Sequence, residues 1–296
     1  MADNLKPLDQ QVMVITGASS GIGLATALLA AERGARLVLA ARSGETLEQV
    51  ASQIGESGGE ALAVPTDVGD RDALFALADA AIERFGRIDT WINDAGVAIY
   101  GRLEEVSDDD SRRLFETNFW GVVNGSLAAL PHLRRSGGAL INVGSEVSDA
   151  VIPLQGMYSA SKHAVKGFTD ALRVEVEEVD EAPVSITLIQ PTAVNTPYPQ
   201  HARNYMPQEP KLPTPMIDPL QVAEAILDAA TQGGRDIKVG AMAKLNTTTA
   251  KLMPSLGDRM SAMQVDRQQE ERAPAAPEGT LFRAGGEGRV HGHPPQ

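Results

Sequence analysis

Residues 12–34 read VMVITGASSGIGLATALLAAERG, and three patterns follow one another there without a linker. Val12 to Thr16 is a short apolar, β-branched run, as expected of a central parallel strand buried on both faces. Thr16 to Gly23 is a turn rich in glycine. From Leu24 the apolar residues recur at helical spacing until Gly34 ends the run. Strand, glycine turn and helix in immediate succession open a dinucleotide-binding unit. In that reading Gly17 permits the tight turn, Gly21 lets the backbone approach a pyrophosphate, and Gly23 lets helix and strand pack closely. The amides around Ser19, Ser20, Gly21 and Ile22 at the helix start then face the phosphates.

The next strand, Arg36 to Ala41, carries the choice of cofactor. An NAD-preferring site places an Asp or Glu here for the ribose 2′-hydroxyl, but this sequence reads Ala40, Ala41, Arg42, Ser43. Without a carboxylate nothing repels a 2′-phosphate, and Arg42 offers a planar, permanently charged fork to bind it, with the Ser43 hydroxyl beside it. The cofactor expected is NADP(H), with NAD(H) less favoured.

The alternation continues. Glu45 to Ile54 reads as helix and Glu60 to Pro65 as strand. Asp67 and Val68 follow that strand, where a carboxylate can accept the adenine amino group. Asp70 to Phe85 is an amphipathic helix with Asp70 as N-cap. Thr90 to Asn93 is a fourth strand, and Asp94-Ala95-Gly96 turns at its carboxyl end, where open parallel sheets gather ligands. Asp108 to Leu133 reads as one long helix with acidic residues over its first turn. Asn118 falls in its middle, a poor place for Asn by propensity, unless it opens the helix to hold a water. Ala139 to Val143 is a fifth strand ending at Gly144-Ser145, and Ser185 to Gln190 a sixth, ending at Pro191-Thr192. The fold class is therefore α/β, a Rossmann-type doubly wound parallel sheet of about seven strands with helices on both faces.

Between the fifth and sixth strands lies GMYSASKHAV, Gly156 to Val165. Tyr158 and Lys162 are four residues apart, so on a helix their side chains share a face. A phenol titrates near pH 10, and an ammonium one turn away favours the phenolate and is expected to lower that value. Ser145, at a strand end beside this helix, is placed to hydrogen-bond a substrate oxygen.

Together these motifs resemble the short-chain dehydrogenase/reductase family, in its common single-domain branch. The likeness covers about Val12 to Gly240: TGxxxGxG is Thr16 to Gly23, the NNAG-type motif Asn93 to Gly96, and YxxxK is Tyr158 and Lys162. The family's active-site Asn and Ser match Asn118 and Ser145, and its Pro-Gly motif matches Pro191-Thr192. The resemblance implies Tyr158 as general acid/base, Lys162 as the cation that tunes it and binds the nicotinamide ribose, Ser145 polarising a carbonyl, and Asn118 anchoring a relay water. Asn93, Ala95 and Gly96 would belong to the cofactor site, as would Pro191, Thr192, Val194 and Thr196 at its nicotinamide end. The implied reaction interconverts a ketone or aldehyde and an alcohol, in a homodimer or homotetramer. Two residues depart from the family pattern: Asp94 replaces an Asn, and Thr192 replaces a Gly that is freer to turn.

A catalytically silent, dinucleotide-sensing regulator on the same fold is the alternative, but it has no need of Ser145, Tyr158 and Lys162 together. An interaction scaffold has no positive motif behind it. Val194 to Pro215 is too rich in proline for a regular helix and reads as a substrate lid carrying Tyr198, His201, Tyr205 and Met206. Val97, Ile99, Tyr100, Val147, Ile152 and Leu154, with Tyr198 and Met206 of the lid, make an apolar pocket suited to a hydrophobic small molecule. Asp218 to Gln232 is a helix, Asp236 to Val239 a seventh strand, and about 253–268 a last helix. Residues 1–250 are read as one catalytic domain and 251–296 as a helix with a Gly/Pro-rich extension, disordered or lying on a neighbouring subunit. His291 and His293 in that extension are an incidental pair, and no metal is expected.

Composition fits this picture. The 296 residues carry 26 Lys and Arg against 39 Asp and Glu, a formal net charge of −13 that disfavours nucleic acid and anionic membrane surfaces as partners. There is no cysteine, which removes disulfides, thiolate catalysis and Cys-zinc sites. MADNLKPLDQ at the start lacks the basic and apolar regions of a secretory signal, and a cytoplasmic location is expected.

Overall fold

The computed structural model of the protein describes residues 5–285 and 288–292. Its first half is built of β1 (Val12–Thr16), α1 (Gly21–Glu32), β2 (Arg36–Ala41), α2 (Gly44–Glu56), β3 (Glu60–Pro65), α3 (Arg71–Phe85), β4 (Thr90–Asn93) and the short β5 (Ile99–Tyr100). There follow α4 (Asp108–Phe115), α5 (Gly121–Ser136), β6 (Ala139–Val143), α6 (Gly156–Arg173), β7 (Ser185–Pro191), α7 (Tyr198–His201), β8 (Arg203–Asn204), α8 (Pro219–Gln232), β9 (Asp236–Val239), α9 (Ala241–Leu252) and α10 (Pro254–Ala262). Seven strands form one parallel sheet in the order β3-β2-β1-β4-β6-β7-β9. From β1 the chain builds outward to β3, then returns to β4 on the other side of β1. Strand order therefore reverses between β1 and β4, and in a Rossmann-type α/β fold such as this the crevice outside the strand ends at that point receives ligands.

Successive strand residues point to opposite faces, so one strand feeds two cores. Met13 and Ile15 of β1 pack with Leu37 and Leu39 against α1, α2 and α8. Val14 packs with Val38, Trp91 and Leu140 against α3, α5 and α6. Each such side chain, fully withdrawn from water, contributes roughly 1.5–3 kcal/mol, which is why the strands read as continuous apolar runs.

Several polar residues inside this core form one network. Asn93 Nδ2 donates to Asn142 Oδ1 at 2.9 Å and to Ser126 Oγ at 3.2 Å, while Trp91 Nε1 donates to Asn93 Oδ1 at 2.8 Å. Asn142 Nδ2 in turn donates to Thr169 Oγ1 at 2.9 Å. One buried network thus ties β4 and β6 to α5 and α6, and satisfied networks of this kind specify a single arrangement.

Caps explain several helix boundaries. Asp70 Oδ1 accepts from the amides of Asp72 and Ala73, and Asp218 Oδ1 from that of Leu220. Departures from the sequence reading lie where tertiary contacts intervene. The long helix expected over 108–133 is interrupted by a π-helical turn, Glu116–Trp120, centred on Asn118. The segment 194–215 contains the short helix α7, and its β8 pairs in parallel with β5. A helix expected over 253–268 is instead α10 and a 3-10 turn at Asp266–Gln268, and α9 precedes it unanticipated. Among the described residues no helix is long and apolar enough to cross a membrane.

The glycine turn shows how tightly β1 and α1 are joined. Gly17 is left-handed (φ 75°), and a Cβ there would stand 2.9 Å from the Ala95 backbone. A Cβ on Gly23 would collide with the Gly17 carbonyl oxygen and stand 2.8 Å from Asp94 Oδ2. Backbone on one side and a buried carboxylate on the other leave no room to yield. Gly23→Ala is expected to lower stability by roughly 1–3 kcal/mol in urea unfolding; an unchanged midpoint would show that the helix can back away.

Candidate active site

A cleft runs along the carboxyl ends of β1, β2, β3, β4, β6 and β7. It is lined at one end by Arg42, Ser43, Asp67 and Val68, in the middle by Gly17, Ser19, Ser20, Gly21, Ile22, Ala95 and Gly96, and at the other end by Pro191, Thr192, Val194 and Thr196. Ser145, Tyr158 and Lys162 line the same cleft. Of the catalytic and cofactor residues expected from the sequence, Gly23, Asn93 and Asn118 do not. Gly23 lies against Gly17, and Asn93 is turned into the core network described above.

Asn118 is fully buried. Its Oδ1 accepts from the Val97 amide at 2.8 Å, and its Nδ2 donates to Val97 O at 3.0 Å and to Ser161 Oγ at 3.2 Å. The side chain therefore clamps the loop after β4 to α6 and does not face the cleft. The π-helical turn aims it there, because a wider turn rotates one residue out of the helical register.

α6 carries Tyr158 and Lys162 into the cleft one turn apart. The Lys162 ammonium lies 5.7 Å from the Tyr158 ring centroid and donates to the Val143 carbonyl at 2.8 Å. It is only 4 % exposed. Burial pushes its pKa down to about 8, opposed by the Asp94 carboxylate. Burial likewise pushes Asp94 up to about 7, opposed by Lys162 and by a hydrogen bond from the Gly23 amide.

Tyr158 departs from the sequence expectation. Burial pushes its phenol up to about 12; hydrogen bonds with Ser145 and Tyr198 pull it down, and the carboxylates of Asp94 and Glu146 push it further up. The lowering expected from Lys162 does not prevail, for two reasons. Desolvation disfavours the phenolate directly, and the ammonium is directed at a backbone carbonyl beside a carboxylate. At neutral pH the phenol keeps its proton. Tyr198 meets Tyr158 edge-on, with ring centroids 5.4 Å apart, and its hydroxyl donates to Gln155 Oε1 at 2.8 Å. Ser145 caps the 3-10 turn Glu146–Ser148, its Oγ accepting from the Val147 amide at 3.3 Å.

Two departures from the family pattern acquire a setting. The amides of Asp94 and Ala95 both donate to Thr16 Oγ1, at 3.1 and 3.2 Å, so the loop after β4 is pinned to the end of β1. Thr192 has no left-handed backbone, and its amide donates to Val239 O at 3.1 Å. Its methyl lies where a Cβ on Gly240 would reach it, at 2.7 Å.

The apolar pocket is smaller than the sequence suggested. Val97, Val147, Ile152 and Tyr198 line the cleft, whereas Ile99, Tyr100, Leu154 and Met206 pack behind it. Glu146, Gln155 and Leu212 line it without having been singled out. Glu146 is the consequential omission: it follows Ser145 in the chain, and its carboxyl is pushed up by burial and accepts from Asn246 Nδ2 at 3.0 Å. Only its adjacency to Ser145 hinted at this in sequence. His291 pairs with Asp218 at 3.1 Å, and His293 lies outside the described residues.

The residues present fit a dinucleotide. Glycine backbone at the start of α1 forms the middle of the cleft wall, with an arginine at one end and a lysine at the other. The model of the short chain dehydrogenase family matches residues 11–206. The chain belongs to that family. It is 44% identical over 286 residues to the Bacillus subtilis oxidoreductase YxnA, an alignment covering 95% of this chain and 80% of that protein. It superposes with a TM-score of 0.68 and 30% identity on an alcohol dehydrogenase from the archaeon Thermococcus sibiricus complexed with 5-hydroxy-NADP, covering 77% of this chain and 94% of that one. A short-chain dehydrogenase/reductase from Burkholderia phymatum in complex with NAD gives a TM-score of 0.71 at 27% identity, covering 90% and 99%. The chain is thus an oxidoreductase of a nicotinamide-dinucleotide-binding family.

The Asp94–Lys162 pair makes a pH prediction. Above pH 7 Asp94 is ionised and holds up the Lys162 pKa, so in Asp94→Asn burial acts on the ammonium unopposed. Its proton is then lost at lower pH, and the alkaline limb of the kcat/KM profile is expected to move toward acid by about one pH unit. A profile that stays in place, or moves toward alkali, would separate the two groups.

Proposed function

We propose that the protein is an NADP(H)-dependent oxidoreductase that interconverts a ketone or aldehyde and an alcohol, acting on CH–OH groups. The observation that carries the proposal is that Ser145, Tyr158 and Lys162 meet at one end of a cleft whose other end presents Arg42. When bound, the nicotinamide ring gives or takes a hydride at the carbonyl carbon. Negative charge then develops on the carbonyl oxygen, and the chain's task is to receive it. The Ser145 hydroxyl donates a hydrogen bond to that oxygen. Tyr158, protonated at neutral pH, gives it a proton, and in the opposite direction accepts one. Lys162, charged through most of the neutral range, holds the ribose hydroxyls and offsets negative charge arising on Tyr158. Asn118 acts through position: by clamping Val97 it holds the loop after β4 beside Lys162.

At the adenosine end, Arg42 and Ser43 receive the 2′-phosphate and Asp67 the adenine amino group. Gly17, Ser19, Ser20, Gly21 and Ile22 face the pyrophosphate. The substrate portion, walled by Val97, Val147, Ile152 and Tyr198, suits an apolar carbonyl compound. Exposed Trp120, Leu127, Val174 and Val179 along α5, α6 and the turns adjoining them support pairing of those helices in a homodimer or homotetramer.

Two measurements test this reading. In NADPH-oxidation assays with a panel of ketones and aldehydes, Tyr158→Phe is expected to lose kcat on the order of 10³-fold while retaining cofactor binding by fluorescence; kcat/KM should be higher with NADPH than with NADH. Activity surviving the substitution would defeat the mechanism, and preference for NADH would defeat the cofactor assignment. Light scattering at micromolar concentration should give a dimer or tetramer; a monomer would remove the pairing.

A further inference from the structure

The described residues of the Gly/Pro-rich extension lie against the body of the chain. Leu281 is fully buried among Val97, Ile99 and Leu114. Just before it, the amide of Thr280 donates to His201 O at 2.8 Å and Glu278 pairs with Arg203 at 2.8 Å, so this end is fastened to the lid segment of α7 and β8. Farther on, His291 pairs with Asp218 at 3.1 Å, and Val290 packs against the core beside α1. Thr280 and Gly285 form part of the wall of the cofactor cleft.

Its hydrogen bonds fall on the groups assigned to the cofactor. Arg42 Nη2 donates to Thr280 O at 2.5 Å and Nη1 to Leu281 O at 3.0 Å. Arg113, ion-paired with Asp67 at the adenine end, also reaches Leu281 O, at 3.3 Å. At the start of α1 the Gly21 amide, which would face the pyrophosphate, donates to Arg289 O at 2.9 Å. A cover lying over a bound dinucleotide would leave these donors aimed inward at phosphate oxygens. Here they are aimed at the carbonyls of the extension.

We propose that residues 280–285 and 288–292 form a strap that competes with the dinucleotide for Arg42 and for the Gly21 amide, so that cofactor binding displaces it. The inference rests on the assignment of Arg42 to the 2′-phosphate. A 2′-phosphate offers Arg42 an opposite charge and a bidentate acceptor where the backbone carbonyls offer only neutral oxygens, so NADP(H) can drive the exchange at Arg42. NAD(H) lacks that phosphate and can displace only the end at Gly21. The affinity observed is the intrinsic affinity reduced by the fraction of molecules whose strap is open. The strap is thereby a determinant of both cofactor affinity and cofactor choice.

Hydrogen exchange on the full chain tests the strap directly. Saturating NADPH is expected to raise exchange at least about tenfold in peptides covering 280–285 and 288–292; NADH is expected to do so only in 288–292. In parallel, Leu281→Ala removes the buried side-chain anchor while leaving every side chain assigned to the cofactor in place, and should tighten NADPH severalfold by fluorescence titration, with little effect on NADH. Protection of 280–285 by NADPH, or no change there, would overturn the proposal, as would weaker NADPH binding by Leu281→Ala. If NADPH binds no tighter than NADH in either protein, the cofactor assignment is what fails. The strap is then judged at 288–292, where increased exchange with NADH upholds it and protection or no change overturns it.

Discussion

Lys162 is a cation held almost wholly out of water, and the chemistry available in the cleft follows from how its charge is balanced. An isolated ammonium in such surroundings would lose its proton, because desolvation acts against the charged form alone. Three segments distant in sequence prevent this: β6 supplies the Val143 carbonyl at 2.8 Å, the loop after β4 supplies the Asp94 carboxylate, and α6 supplies the lysine itself. Their mutual position depends on the buried network of Asn93, Asn142 and Thr169, which fastens β4, β6 and α6 together one strand-depth below the site.

The same balance sets the state of Tyr158. With the ammonium engaged by Val143 and Asp94, the phenol is left to its burial and to the hydroxyls of Ser145 and Tyr198, and it remains protonated well above neutral pH. A protonated phenol beside a second hydroxyl is a suitable donor for an oxygen that is gaining negative charge. Glu146 and Asp94 reinforce this by placing carboxylates on the same side. The arrangement sits where β1 and β4 diverge, so the parallel topology delivers loops from four strands to one place.

Arginine and carboxylate pairs organise the opposite end of the cleft. Arg42, Arg113 and Asp67 form a cluster to which the backbone of the C-terminal extension adds carbonyl acceptors. Guanidinium groups seek planar acceptors wherever they are offered, and a chain segment or a phosphate satisfies the same geometry. The segment of α7 and β8 and the extension are likewise fastened to each other through His201 and Arg203.

What was legible in the sequence is what local patterning can encode. Runs of four to six residues, most of them apolar, named the strands of the sheet, the glycine turn marked the start of the cleft wall, and the spacing of Tyr158 and Lys162 put both on one helical face. The family membership that follows from these motifs is upheld by the match over residues 11–206. Tertiary structure decided everything that depends on what surrounds a side chain. It turned Asn93 into the core network and Asn118 onto Val97 and Ser161, raised the Tyr158 pKa where proximity to lysine alone predicts a fall, buried the Glu146 carboxyl against Asn246, and folded the extension back across Arg42. The reason is common to all four: spacing along the chain fixes direction and reach, whereas desolvation and hydrogen-bond partnership arise only when segments far apart in sequence are packed together.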